Sequence, residues 1–262
     1  MADPISIKID AGEVFPHLSK APITEAAIGI RANAQTEWTE EVLRQRLREK
    51  LADYPDVHSE RAVFQEWKIE PFGEPEQRKP TISWRGLRCS SDDGRQLGQF
   101  YRDSFSFNRL YPYTHWQEFC SEAIRLLEIH NEIAQLASVH RIDVRFINRI
   151  EVPIYGLDVN KYLTIAPREI TLQNHLPLLG FFHQETLAVP GHPYAVTLTR
   201  TIQAPLDAAK GTAGVILDID VFTLKAMEFD LGTIADHLQK MRWVKNKIFF
   251  ASITPTLLSE LR

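Results

Sequence analysis

Apolar and polar residues alternate along several short stretches of the chain, which is typical of β-strands with one buried face. Residues 25–32 place Ile28 and Ile30 on one side and Arg31 on the other. The alternation is clearest over residues 141–152. Further strands are predicted at residues 62–69, 81–89, 97–108, 180–188, 194–203 and 214–223.

Between the strands the apolar spacing changes to that of amphipathic helices. A first helix is predicted between Thr36 and Pro55, with a buried stripe made of Leu43, Leu47, Leu51 and Tyr54. Helices are also predicted at about 116–136 and, shorter, near 157–166, and a proline-rich loop at 71–80. The final helix, about 231–250, carries a stripe of Ile234, Leu238, Met241, Lys245 and Ile248. The aliphatic stem of the lysine is expected at the edge of this stripe.

The order of these elements repeats along the chain. Residues 21–138 and residues 139–262 each read strand, helix, three strands and long helix, after an irregular leader at 1–20. The predicted fold class is therefore α+β, with two β-α-β-β-β-α units related by duplication and helices covering one face of antiparallel sheets. Two such half-sheets could join edge to edge. The alternative is two ordinary α+β lobes whose similarity is chance.

Composition and charge narrow the classes of protein. The chain is 44% hydrophobic and 24% charged, which is ordinary globular composition, and its net charge of −4 argues against a dedicated nucleic-acid binder. Cys89 and Cys120 form no zinc-binding spacing, and two free thiols suit a reducing compartment. The N-terminal residues do not resemble a secretory signal, and no apolar run is long enough for a membrane helix. A cytoplasmic protein without a membrane partner is expected.

The strand at 141–152 carries the first candidate site. Alternation places Arg141, Asp143, Arg145 and Arg149 on one face, while Ile142, Val144, Phe146, Asn148 and Ile150 lie on the other. Guanidinium groups bind phosphate or carboxylate through two oxygens at once, so this face is a candidate anion-binding surface. The alternative is a solvated face with cross-strand ion pairs.

A second, weaker candidate is a metal site. His183 and Glu185 share one face of their strand, and Asp218 and Asp220 share one face of theirs. If the strands were neighbours, one histidine and three carboxylates could hold a divalent cation. The competing interpretation is that the two aspartates pair with Arg145 or Arg200, so no metal is assigned.

Residues 109–119 (RLYPYTHWQEF) are rich in aromatic side chains. Tyr111, Tyr113 and Trp116 could stack on a base or on a side chain of a partner protein. The structural interpretation is that Pro112 fixes the chain before the helix and that Trp116 packs on the sheet. Arg109, at a strand end, is a further candidate ligand-binding residue.

Residues 22–27 (PITEAA), 109–119 and 141–149 (RIDVRFINR), together with 246–254, resemble a family of uncharacterised, sporadically distributed bacterial proteins of similar length. The resemblance extends over nearly the whole chain. It implies no activity that can be carried over. The patchy distribution of the family is similar to that of mobile defence or toxin–antitoxin genes, so such a setting is expected by association.

Catalytic and cofactor motifs are missing from the sequence. No Gly-x-Gly-x-x-Gly or Gly-x-Ser-x-Gly occurs, so no cofactor is expected and an enzyme is disfavoured. The sequence favours a non-catalytic binding or regulatory protein with a protein partner or a homo-oligomeric state. The alternative is an enzyme or sensor that acts on a phosphorylated small molecule or nucleotide at the arginine-bearing face.

Overall fold

The computed structural model describes residues 6–65, 67–68, 76–77, 79–153, 157–167, 176, 178–203 and 211–262. The predicted loop at 71–80 lies largely outside these residues. The helices are α1 (Glu40–Lys50), α2 (Trp116–Ala134), α3 (Leu231–Ser252) and α4 (Pro255–Leu261), with a 3₁₀ turn at Val159–Lys161. The strands are β1 (Ile23–Ala34), β2 (Asp56–Phe64), β3 (Trp67–Lys68), β4 (Glu76–Gln77), β5 (Thr81–Ser90), β6 (Gln96–Tyr101), β7 (Ser104–Leu110), β8 (Leu136–Pro153), β9 (Phe182–Ala188), β10 (Tyr194–Gln203), β11 (Thr212–Thr223) and β12 (Met227–Glu228).

One antiparallel sheet of ten strands organises the described residues, so the α+β class is confirmed. The strand order is β2-β5-β6-β7-β1-β8-β11-β10-β9, and β12 pairs with one end of β8. β1 and β8 pair along most of their length at the centre. The two halves of the chain therefore share one continuous sheet, in agreement with the expected edge-to-edge joining.

The two faces of the sheet differ in burial and charge. Ile28, Val144 and Val221 lie side by side on β1, β8 and β11, and each is at most 1% exposed. This side, the buried face, is contacted by rings of α2, which pack against Phe146. Alternate residues form the polar face, which includes Arg145 and its neighbours on the flanking strands. The alternation of β8 thus has the predicted orientation.

The first predicted helix is confirmed, although it is shorter than predicted and extends only from Glu40 to Lys50. Thr39 caps the N-terminus of α1, its hydroxyl accepting the Val42 N–H. Leu43 and Leu47 are fully buried, and Leu51 and Tyr54, just after the helix, are 2% exposed. An apolar stripe with a good cap is thus a sufficient local signal.

Some strand predictions were wrong because hairpins and edges follow tertiary pairing. The predicted strand at 97–108 is two strands, β6 and β7, which turn back at Arg102-Asp103 so that Phe100 pairs with Phe105. Val63, which alternation predicts to point inward, is 65% exposed on the edge strand β2. The first half therefore has four long strands after α1 where three were predicted.

The leader lies along α3. The Glu13 carboxylate accepts hydrogen bonds from Trp243 Nε1 and Lys247 Nζ, both at 2.6 Å. The Phe15 ring stacks on Phe250 with centroids 5.8 Å apart. Residues 6–22 hence form part of the packed body, without helix or strand of their own. No helix among the described residues is long and apolar enough to span a membrane.

His130 supports a first prediction. Its side chain is fully buried in α2 against the rings of Trp38, Phe100 and Phe105. Burial lowers its pKa to about 4, while the backbone carbonyl of Tyr101, which favours the protonated ring, acts in the opposite direction. In the unfolded chain His130 binds a proton below about pH 6.5, whereas in the folded chain it stays neutral down to about pH 4. The free energy of unfolding therefore falls as the pH drops from about 6.5 to 4.

We expect this single group to remove about 3 kcal/mol of stability over that interval. The variant His130→Phe lacks this pH-dependent contribution to the free energy of unfolding. The difference in unfolding free energy between the variant and the wild type should therefore change with pH by this amount. Urea unfolding at pH 7 and pH 4.5 measures it. A difference that is the same at both pH values would contradict a neutral, buried imidazole.

Candidate functional site

The arginines of β8 do not form a free cationic surface. Arg141 donates hydrogen bonds to Asp143 at 3.3 Å and to Asp220 at 3.0 Å. Arg145 holds Asp218 through three contacts of 2.6 to 3.2 Å. Burial and the nearby Asp143 carboxylate raise the pKa of Asp220 to about 6, against the attraction of Arg141 and Arg145. The alternative of cross-strand ion pairs describes this part of the polar face.

Arg149 is also paired, and it is buried. Its Nε donates to Glu151 at 2.6 Å and its Nη1 to Gln203 at 2.9 Å, and its side chain is only 6% exposed. A Cβ at Gly214 would lie 2.2 Å from the guanidinium carbon, so the glycine provides the space for this side chain. The three arginines thus balance carboxylates, which favours the alternative of cross-strand ion pairs over an open anion-binding face.

The four metal candidates lie on opposite faces of the sheet. His183 and Glu185 lie on β9 and both contact Arg200 of β10, which is 2% exposed on the buried face. Asp218 and Asp220 lie on β11, on the polar face, with β10 in between. These side chains cannot share one cation. Within the described ranges no other group of His, Cys, Asp or Glu side chains is arranged to hold a metal.

Arg109 faces the opposite side from Arg145. It pairs with Ala26 on the buried face, whereas Arg145 pairs with Ala27 on the polar face. The Arg109 Nε donates to the Pro112 carbonyl at 3.3 Å. The residue consequently holds the segment before α2 in place and does not join the arginines of β8.

A cleft of about 400 Å³ opens on the α3 side of the molecule. One wall consists of residues 15–23 of the leader and the start of β1, and the facing wall is the 111–117 segment that leads into α2. Asn148 of β8 contributes to the lining. A volume of this size is within the usual range for small-molecule sites.

α3 contributes one complete helical face to the cleft. The lining residues follow the spacing i, i+3, i+4, i+7 and i+8 and comprise Arg242, Lys245, Asn246, Phe249 and Phe250. Side chains at this spacing project in the same direction, so the cations and the aromatic rings of this helix reach the same space. The first turn of α2 adds Trp116, whose indole N–H donates to Gln239 at 2.9 Å.

The charge of the cleft has one sign. Lys20, Arg242 and Lys245 line it together with His17 and His115, and none of the described lining residues is acidic. The three cations make no ion pair with any residue in the described part of the chain. Clefts of one sign in low-dielectric walls concentrate ligands of the opposite charge. We refer to this site as the cationic cleft.

Aromatic rings provide the apolar part of the lining. Tyr111 is 68% exposed at the rim, and Tyr113 and Trp116 lie deeper. The Arg242 guanidinium lies 5.9 Å from the Trp116 ring centroid. Trp116, 5% exposed, packs on Phe146 as the structural interpretation predicts, while the two tyrosines stay available for stacking on a ligand.

Lys245 has the most unusual environment in the cationic cleft. Its Nζ lies 3.8 Å from the centroid of the buried Phe146 ring. Burial, with Arg242 as the second cause, lowers the pKa of this amine to about 7. The predicted position at the edge of the α3 stripe is correct, since Ile234, Leu238 and Met241 are fully buried. Its place in the lining of a cleft was not predicted.

Asn148 shows how a polar residue is accommodated on the buried face. It is 2% exposed, and its Nδ2 donates to the Leu217 carbonyl of β11 at 2.9 Å. The amide is therefore partly satisfied by the neighbouring strand and still lines the cationic cleft. Sequence alternation had placed it among apolar residues without a reason for its polarity.

Sequence reasoning missed the cationic residues of this site, Lys20, Arg242 and Lys245. A signal was nonetheless present, because residues 22, 111–117, 148, 246 and 249 belong to the distinctive stretches quoted above and converge here. These stretches are far apart along the chain, so only the fold brings them together.

Comparison of the chain with protein-family models, with curated proteins and with solved structures finds no match. The resemblance to the sporadic bacterial family stays a prediction. The chemistry of the cationic cleft is thus the basis for a functional proposal.

Proposed function

We propose that this protein binds an anionic ligand with an aromatic or apolar group in the cationic cleft, as a binding or regulatory protein. The observation that carries the proposal is the set of basic side chains, Lys20, Arg242 and the amine of Lys245, beside aromatic walls and without a carboxylate among the described lining residues. Leaving the partly buried guanidinium of Arg242 without an ion pair among these residues costs free energy, which an anionic ligand offsets.

The cleft favours phosphate or carboxylate joined to a ring. Arg242 offers a planar guanidinium fork, which suits either group. The rings of Tyr111 and Tyr113 offer contact area for a flat apolar moiety. A phosphorylated small molecule or nucleotide therefore stays a candidate ligand, but we propose that it binds in the cationic cleft and not on the polar face of β8.

Thermal unfolding with AMP and phenyl phosphate, each compared with adenosine or phenol, tests the proposal. An anion at 100 times its Kd adds about 2.7 kcal/mol of stability. For a chain of this size the midpoint then rises by roughly 5–10 °C. If neither anion raises the midpoint more than its neutral counterpart, the proposal is rejected.

A pair of variants locates the site. Arg242→Gln should weaken phenyl phosphate binding by at least about tenfold, because a charged hydrogen bond contributes roughly 1.5–3 kcal/mol. Arg145→Gln, on the polar face and already paired with Asp218, should leave the affinity unchanged. Isothermal titration calorimetry measures both. Loss of affinity in the Arg145 variant alone would return the anion site to β8.

The remaining expectations are kept as proposals. We propose that the two halves of the chain arose by duplication and that helices cover one face of the sheet. The strand order supports this, because the two halves follow the same sequence of elements outward from the centre of the sheet: β1, β7, β6, β5 in the first half and β8, β11, β10, β9 in the second.

We also propose a protein partner, a defence or toxin–antitoxin setting and a cytoplasmic location. Pull-down and cell fractionation in the native host test these proposals. Their failure would leave the ligand site unaffected.

A further inference from the structure

The amine of Lys245 differs from the other two lysines of α3, Lys240 and Lys247, in having no carboxylate partner among the residues that the structure describes. Lys247, two residues further along α3, donates to Glu13 at 2.6 Å. Lys240 pairs with Asp236 one turn away. Lys245 instead places its Nζ on the Phe146 ring and makes neither a hydrogen bond nor an ion pair with any described residue. A lysine in this environment is an unusual feature that packing alone does not require.

The surroundings of the amine favour its neutral form. It lies against a buried ring in a half-buried position, and the nearby guanidinium of Arg242 repels a second positive charge. The ring face attracts a cation, but the loss of hydration outweighs this attraction and lowers the pKa. At neutral pH a large share of the amine is therefore unprotonated and has a free electron pair.

We infer that Lys245 is a nucleophilic amine that forms a reversible imine with an aldehyde or ketone group on an anionic ligand held in the cationic cleft. The inference rests on the proposed function, because the anion-binding residues would position the carbonyl group. Lysines that are desolvated and lie next to another cationic group are the known type for this chemistry.

The reaction balances without an additional reagent. The electron pair of the Lys245 nitrogen attacks the carbonyl carbon and gives a carbinolamine. The carbonyl oxygen then leaves as water with the two hydrogens that the neutral amine loses, and a carbon–nitrogen double bond forms. No atom is oxidised or reduced, and hydrolysis reverses the step. The ligand class is thus an anion with a carbonyl group, which can be stored, sensed or activated in this form.

Pyridoxal 5′-phosphate is a suitable probe, since it joins a phosphate, an aromatic ring and an aldehyde. The full chain is incubated with increasing concentrations at pH 7.5, reduced with borohydride, digested and read by mass spectrometry. We expect Lys245 to be labelled at concentrations at least tenfold below those that label Lys240 and Lys247. Labelling of Lys245 no earlier than these two lysines would overturn the inference.

Matched variants control for folding and for surface reactivity. Lys247→Arg should leave the low-concentration label in place, whereas Lys245→Arg should remove it while the melting transition stays cooperative. Pyridoxal, without the phosphate, should label Lys245 at least tenfold less efficiently. If AMP or phenyl phosphate stabilises the protein but Lys245 is not labelled first, the imine fails and the proposed function stands. If Lys245 is labelled first by both aldehydes alike, and no anion stabilises the protein, the reactive amine stands and the anion site fails.

Discussion

Replacing Lys245 with Met is expected to raise the free energy of unfolding at pH 7 by up to about 4 kcal/mol. The folded-state pKa is about 7, below the ordinary value of 10.5, because the amine is buried and lies near Arg242. The unfolded chain therefore binds a proton between these two pH values that the folded chain does not hold. Stability of the wild type rises with pH across this interval, and methionine removes the cost.

The stability gained by Lys245→Met should decrease as the pH rises. At pH 9.5 the gain should shrink to about 1 kcal/mol, and near pH 10.5 it should disappear. Urea unfolding at pH 7 and pH 9.5 measures the change. The figure is an upper limit, since the side chain keeps part of its surface towards the cleft and methionine also loses the contact with Phe146.

Lys247→Met is the matched control. This lysine is exposed and paired with Glu13, so its replacement should change stability by less than about 0.5 kcal/mol at both pH values. The other titratable groups that line the cleft with Lys245 are unchanged in both variants; they are His17, Lys20, Tyr111, Tyr113, His115 and Arg242. A Lys245 variant that is destabilised equally at pH 7 and pH 9.5 would show that the amine is an ordinary surface cation.

Phe146→Ala is expected to cost about 3–5 kcal/mol of stability, the usual range for a buried phenylalanine. The side chain is fully buried on β8, and its ring contacts Tyr113, Trp116 and Phe119 at centroid distances of 5.4 to 6.5 Å. Removing the ring leaves a cavity that the sheet cannot fill without moving α2 and α3, which both contact Phe146. Urea unfolding at pH 7 gives the value.

The same substitution should impair the cationic cleft, because the ring is the platform of Lys245. Selective labelling of Lys245 should be lost in any Phe146→Ala protein that still folds. Phe146→Leu fills most of the volume and should cost less, although it also removes the aromatic face. Phe222→Ala, on the polar face beneath Arg141, is the control and should spare the labelling. Retention of selectivity in Phe146→Ala would show that the ring does not position the amine.

The proposed ligand site would give the stability cost at Lys245 a functional reason. A methionine or leucine at this position would complete the apolar stripe of Ile234, Leu238 and Met241 and would avoid the desolvation of an amine. Binding sites often retain groups that reduce stability because the same groups serve the ligand. The amine, the guanidinium of Arg242, which has no ion pair among the described residues, and the partly satisfied Asn148 all border the cationic cleft.

Local pattern was sufficient wherever a single element decides which side is buried. The apolar stripe of α1 is buried in the core as predicted, because the i, i+4 spacing and the Thr39 cap are both properties of one helix. The alternation of β8 likewise fixed its two faces, because one slip would expose Phe146 and bury Arg145 together. Fold class and the placement of Asn148 follow from such signals.

Pairing between distant strands could not be inferred in the same way. Whether Arg145 is an anion site or half of an ion pair depends on Asp218, which lies 73 positions later on the neighbouring strand. His183 and Asp218 are both candidate metal ligands on alternating strands, yet the register of β10 places them on opposite faces of the sheet. Alternation shows which residues of one strand lie on the same face. Only the pairing of strands in the sheet determines which residues of different strands lie together on that face.

The sequence by itself determined the α+β class, the long helices and the two faces of the central strand β8, because these depend on spacing within about twenty residues. The tertiary structure alone decided that the β8 arginines are neutralised and that Lys20, Arg242 and Lys245 meet in one cleft. The physical reason is that electrostatic environment depends on distance in space and on burial, and both are set by contacts between residues far apart along the chain.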